Sequence, residues 1–239
     1  MAEKIYTIPV NEAFEASQED KSCGCAFCAL YRKLEENELE RILGAAMMEP
    51  DVRIETNAKG FCDTHFSMMF VRKNRLGLGL MLESHLDEIA KGIKPKALSL
   101  KGPGVDAEAK LEKVEHACYV CSRIEMHFKK MLETAAYLWE SDSAFRKKTE
   151  EQPYFCLPHY RAFLACARAS MNKKTFASFY EAVSALQNTY HAKLSEDVSW
   201  FCKKFDYRYN DEPWYDAKDA VERAMKYLSS DLHRDPKKT

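Results

Sequence analysis

Residues 25–48 read CAFCALYRKLEENELERILGAAMM. Phe27, Leu30, Tyr31, Leu34, Leu39, Ile42, Leu43 and Ala46 recur at three- and four-residue steps, which is the single apolar stripe of an amphipathic helix. Pro50 is the expected end of that helix. The stretch opens on Cys25 and Cys28, a C-x-x-C whose two thiols can reach one ion from the first turn, where the positive end of the helix dipole favours thiolate.

Moving outward, 33 residues separate this motif from Cys62-Asp-Thr-His65, and the same two motifs then recur. Cys118-Tyr-Val-Cys121 is followed, after 34 residues, by Cys156-Leu-Pro-His159. The offset between the copies is 93 at the first motif and 94 at the second, and GFCDTHF (60–66) aligns with YFCLPHY (154–160). The pattern reads as an internal duplication. It divides the chain into a first repeat (22–94), a linker (95–105), a second repeat (106–190) and a C-terminal helix, aromatic segment and tail (191–239). The linker assignment rests on Gly92 to Gly104, which holds three of the eight glycines and two of the eight prolines.

Further helices follow from the same periodicity. The counterpart of the opening helix runs from Tyr119 to Leu138, and a second helix in each repeat starts at the C-x-x-H and ends near Gly77 or Asn172. A third spans Leu80 to Lys91 in the first repeat and Thr175 to about Lys204 in the second. A last one covers Asp216 to Ser229, with Asp216 as N-cap. Gly77-Leu-Gly79 reads as a helix break rather than a dinucleotide fingerprint, since a third glycine and a preceding strand are both missing. The predicted fold class is therefore all-α: a helical bundle built from an internally duplicated, metal-clamped hairpin with a C-terminal helical extension.

Composition agrees with that class. Glycine and proline number 8 each in 239 residues, about 3% apiece against usual levels of about 7% and 5%, which disfavours turn-dense β architectures. Hydrophobic content of 46% excludes a disordered chain. With 36 Lys+Arg against 37 Asp+Glu, no global field draws the protein to nucleic acid or an anionic membrane. The longest apolar runs, Leu76–Leu82 and Ile42–Met48, are seven residues, far below the roughly 20 needed to span a bilayer. The N-terminal residues lack the basic and apolar regions of a signal peptide, so a cytoplasmic protein is expected. In a reducing compartment, nine cysteines clustered as C-x-x-C point to metal or redox chemistry rather than disulfides.

The ligand sets expected from chain order are Cys25, Cys28, Cys62 and His65 in one site, and Cys118, Cys121, Cys156 and His159 in the other. Such a pairing requires the chain to return along its first helix, a path the dozen residues from Glu49 to Phe61 could cover at up to about 40 Å if extended. Three cysteines and a histidine close a tetrahedral site without an open position, so the cofactor expected is zinc, two ions per chain, in a structural role. Iron or an iron–sulfur cluster is the alternative, because Cys23 and His116 occupy aligned positions two residues before each C-x-x-C and offer a fifth donor. Cys166 and Cys202 lack partner spacing and read as core residues, while His85, His127 and His191 stand alone on helices. From Trp200 to Tyr215, seven aromatics interleave with Lys203, Lys204 and Arg208, a stretch read as a structural cap for the last helix.

The doubled C-x-x-C and G-F-C-x-x-H arrangement, with MMEPDVRIETNAKGFC (47–62), resembles an uncharacterised family of bacterial proteins from the Firmicutes, classed as a domain of unknown function. The similarity covers most of the chain and implies the same eight ligands, without an activity. The function expected is metal binding with a binding or scaffolding role toward a protein partner. The competing readings are a thiol redox sensor with Cys23 as resolving thiol, and a nucleic-acid-binding zinc protein. An enzyme is disfavoured because the sequence lacks an acid, base or nucleophile constellation.

Overall fold

The computed structural model describes residues 4–20, 22–95 and 102–233, in which every regular element is helical. The α-helices are α1 (Thr7–Glu19), α2 (Ala26–Leu43), α3 (Pro50–Lys59), α4 (Asp63–Val71), α5 (Arg75–Ile93), α6 (Val105–Glu115), α7 (Tyr119–Ser141), α8 (Ser143–Glu150), α9 (Leu157–Ser170), α10 (Lys173–Lys203) and α11 (Ala220–Ser229). Among the described residues, no helix is long and apolar enough to cross a membrane.

Local chemistry explains the boundaries. The Asn172 side chain accepts from the amides of Lys174 and Thr175, both at 3.0 Å, and starts α10; the Asp142 carboxylate does the same for α8. Pro50 does not end a helix but begins one, at the first position of α3, where its missing N–H is harmless. Gly77 and Gly79 likewise lie inside α5 rather than breaking it. The Asn74 side chain accepts from the Gly77 amide at 2.9 Å and caps α5. A Cβ on Gly77 would come within 2.7 Å of Met47 Sδ, so the glycine is there for close packing. The last helix begins at Ala220 and not at Asp216, because residues 215–219 are held in turns by the bonds from the Ala217 amide to Trp214 O and from the Ala220 amide to Ala217 O. Helices α1, α3, α6 and α8 add to those expected, and α6 starts at the expected end of the linker. Of that linker, residues 96–101 lie outside the described residues.

The chain divides into two compact units, one formed by Met1–Arg32 with Phe128–Thr239 and the other by Lys33–His127, with boundaries inside α2 and α7. The first unit has a phenylalanine core. Phe14, Phe27, Phe145, Phe155, Phe163 and Phe179 are fully buried, with ring centroids 5.3 Å apart for Phe14–Phe27, 5.0 Å for Phe27–Phe163 and 4.9 Å for Phe163–Phe179. Each such burial stabilises by roughly 1.5–3 kcal/mol. At the end of α10, Lys204 donates to the carbonyls of Tyr209, Asn210 and Glu212, and Trp200 Nε1 donates to Pro213 O, so the aromatic segment wraps onto itself. Phe205, Tyr207 and Tyr215 stay exposed.

The second unit packs Leu39, Ile42, Val52, Met69, Leu78, Met81 and Ile124 at its centre. Its α3 is pinned to α5 by Arg53, which donates to Leu80 O at 2.8 Å and Ser84 Oγ at 2.6 Å, and by His85, whose Nδ1 meets Asn57 O at 2.8 Å.

Candidate metal centres

Cys25, Cys62, Cys118 and Cys156 each stand immediately before the first residue of a helix, α2, α4, α7 and α9 respectively. Their carbonyls accept the first-turn bonds: Ala29 N to Cys25 O at 3.2 Å, Phe66 N to Cys62 O at 2.9 Å, Ser122 N to Cys118 O at 3.0 Å and Tyr160 N to Cys156 O at 2.8 Å. The residue three positions later completes one turn and returns to the same side, which is why two intervening residues suit a shared ion. Four helix N-termini thus carry the motifs, and they converge in pairs.

The pairing differs from chain order. Cys25 and Cys28 meet Cys156 and His159 in the first unit, and Cys62 and His65 meet Cys118 and Cys121 in the second, with all ligand atoms of each group within 4.8 Å of one another. Each centre takes its C-x-x-C from one of the expected repeats and its C-x-x-H from the other, which corrects the expectation of one site per repeat. The reason lies in α3. Ten residues coiled as a helix advance about 15 Å instead of the more than 30 Å they could span extended. With α3 held along α5, Cys62 and His65 are not carried back along α2 to Cys25. Instead, the Tyr119 amide donates to Gly60 O at 2.9 Å and joins the start of α7 to the start of α4. In the first unit, Gln187 of α10 exchanges two hydrogen bonds with the Phe155 backbone, at 3.3 and 2.6 Å, and sets the entry to α9.

The spacing fits a tetrahedral ion. Thiolates about 2.3 Å from a tetrahedral centre lie about 3.8 Å apart, and a sulfur and an imidazole nitrogen about 3.6 Å apart. In the first centre Cys28 Sγ and Cys156 Sγ are 3.7 Å apart, and His159 Nδ1 lies 3.8, 3.4 and 3.2 Å from the sulfurs of Cys25, Cys28 and Cys156. In the second, Cys62 Sγ and Cys121 Sγ are 3.8 Å apart, with His65 Nδ1 at 3.1, 3.4 and 3.4 Å from Cys62, Cys118 and Cys121. Two groups, the first buried and the second half-buried, are therefore compatible with holding metal ions.

Their surroundings differ. His65 Nε2 meets Glu35 Oε1 at 3.1 Å, and both side chains are buried. A carboxylate behind a ligating imidazole fixes its tautomer and raises its basicity. Burial alone would lower His65, but bonds to Cys118 and Glu35 raise it to about 10. Burial likewise opposes ionisation of Cys118, yet the hydrogen bonds from His65 and from backbone amides bring it down to about 6. Cys121 is pushed up by burial and by Cys118.

The first centre is drier. The His159 ring lies against Phe27 and Phe128, and burial and the Arg32 cation lower it to about 4. Burial lifts Cys25 to about 12. Cys28 and Cys156 each gain a lowering bond from a neighbouring thiol, yet the opposing thiol bond and burial still carry both to about 12. The Asp231 amide donates to Cys28 Sγ at 3.5 Å, and Arg32 holds that segment by donating to Asp231 O at 2.9 Å and to Cys23 O at 3.2 Å.

Neither Cys23 nor His116 belongs to either group. Cys202 is exposed and Cys166 partly so, which corrects the core reading. His85 is held by Asn57 O, and His191 lies 5.8 Å from the Tyr227 ring. Glu35 was missed in the sequence, although a signal exists. It falls four residues after Tyr31 and four before Leu39, a carboxylate on the apolar stripe, and a buried charge requires a partner.

No curated protein and no solved structure matches the chain. The family of unknown function DUF6062 matches residues 1–235, nearly the full length that carries both centres, and the chain belongs to that family.

Proposed function

We propose that this is a zinc-binding protein in which two structural ions each tie a pair of helix N-termini, and that its role is binding or scaffolding of a protein partner in the cytoplasm. The carrying observation is the match between the Sγ···Sγ and Sγ···Nδ1 separations and the edges of a zinc tetrahedron. Four protein ligands leave no coordination position for substrate, which supports a structural rather than catalytic ion. The free state of the cysteines suits a reducing compartment. A net charge of −1 favours a protein partner over nucleic acid.

Elemental analysis of protein purified without added metal tests the reading. Close to two zinc per chain is expected; iron with visible absorbance, or absence of metal, overturns it. Nucleic-acid binding with a steep salt slope would overturn the choice of partner.

A further inference from the structure

The two centres hold equivalent thiol pairs at nearly equal separation behind different amounts of protein. Cys28 and Cys156 are 3.7 Å apart, and Cys62 and Cys121 are 3.8 Å apart. Each pair joins the second cysteine of a C-x-x-C to the cysteine of a C-x-x-H. Cys28 is 1% and Cys156 0% exposed, sealed by the phenylalanine core and by the segment Arg32 holds at Asp231. Cys62 and Cys121 are both partly exposed, while their companions Cys118 and His65 are buried. Solvent therefore touches two cysteine residues of the second centre, whereas the three cysteines of the first are at most 1% exposed.

We propose that Cys62 and Cys121 are an oxidation site: hydrogen peroxide links them as a disulfide and the second centre releases its ion, while the first keeps its own. This rests on the zinc reading above. One thiolate attacks the peroxide, takes an oxygen to become a sulfenic acid and expels hydroxide. The other thiolate attacks that sulfur, forms the S–S bond and expels a second hydroxide. Two protons from solvent turn both hydroxides into water. The sulfurs lose one electron each and the peroxide gains two. The sulfurs close from 3.8 Å to about 2.05 Å, a shift of under 2 Å shared by two side chains at helix starts. Cys118 and His65 remain, half of a four-coordinate set. The pair does not involve Cys23, which stands outside both groups.

The test uses full-length protein carrying Cys202→Ser, which removes the one exposed thiol among the described residues. Hydrogen peroxide is titrated with a chromogenic zinc chelator present, and disulfides are mapped by mass spectrometry. The expected result is release of one of the two zinc equivalents with a Cys62–Cys121 disulfide, reversed by dithiothreitol and added zinc. Release of both equivalents or neither, or a disulfide at Cys118–Cys121 or Cys28–Cys156, overturns the proposal. Metal-free protein at the outset would sink the zinc reading alone, since the disulfide map still decides the site. Adding Cys62→Ser should leave one zinc per chain that peroxide does not release.

Discussion

At the scale of single residues, the two centres are separated in character by Glu35. Ligand identity is the same in both, yet only His65 has a buried carboxylate on its far nitrogen. Replacing Glu35 with Gln keeps the shape and a hydrogen bond but removes the charge. Loss of an outer carboxylate of this kind typically weakens metal binding by about 10- to 100-fold. Glu35→Gln should therefore release one zinc equivalent to a competing chelator at correspondingly lower chelator concentration, with the other unchanged; equal weakening of both would refute the assignment. The eight candidate ligands were legible because their spacing is a one-turn property. Glu35 was only faintly legible, since its partner lies 30 residues away and no local pattern names it.

Among elements, α3 matters most. Its sequence, PDVRIETNAK, begins with a proline that reads equally as a stop for α2 or a start for a new helix. Packing onto α5 decides for the start. Gly60 then ends α3 at φ +61°, where an added Cβ would lie 2.6 Å from His85 Nε2. Gly60→Ala should therefore destabilise the protein by about 1–3 kcal/mol through backbone strain and displacement of His85. Gly79, inside α5 with open space around it, offers the opposite outcome: Gly79→Ala should stabilise by about 0.5–1 kcal/mol, as alanine gains in a helix interior. Chemical denaturation of both variants checks the pair. Equal signs would mean that the glycines act through something other than backbone freedom and close contact.

Over the whole molecule, the proposed zinc binding is linked to protons. Cys25, Cys28 and Cys156 lie near 12 without an ion, so at neutral pH they hold protons that zinc must displace. His159, lowered to about 4, is neutral and gives none. Loading the first centre should release about three protons, so its apparent zinc affinity should fall by up to about a thousandfold per pH unit toward acid. Chelator competition at pH 6, 7 and 8 measures this, and a flat profile would contradict the thiol assignment. Stripping both ions at neutral pH should lower the thermal midpoint, because an ion bound only by the folded state stabilises it by about 4 kcal/mol at a thousandfold excess over its dissociation constant. Added zinc should restore the midpoint.

The amino-acid sequence by itself determined the helical class, most helix positions, and the eight cysteines and histidines poised at four helix N-termini. These depend on periodicity, capping and one-turn spacing, all of which act within a few residues. Only the tertiary structure decided which motifs meet, which histidine has a carboxylate behind it and which cysteines are partly exposed. Those outcomes depend on how α3 lies along α5 and how Gln187 holds the start of α9, contacts between residues far apart in the chain. Spacing selects the candidate ligands, but helix packing chooses their partners.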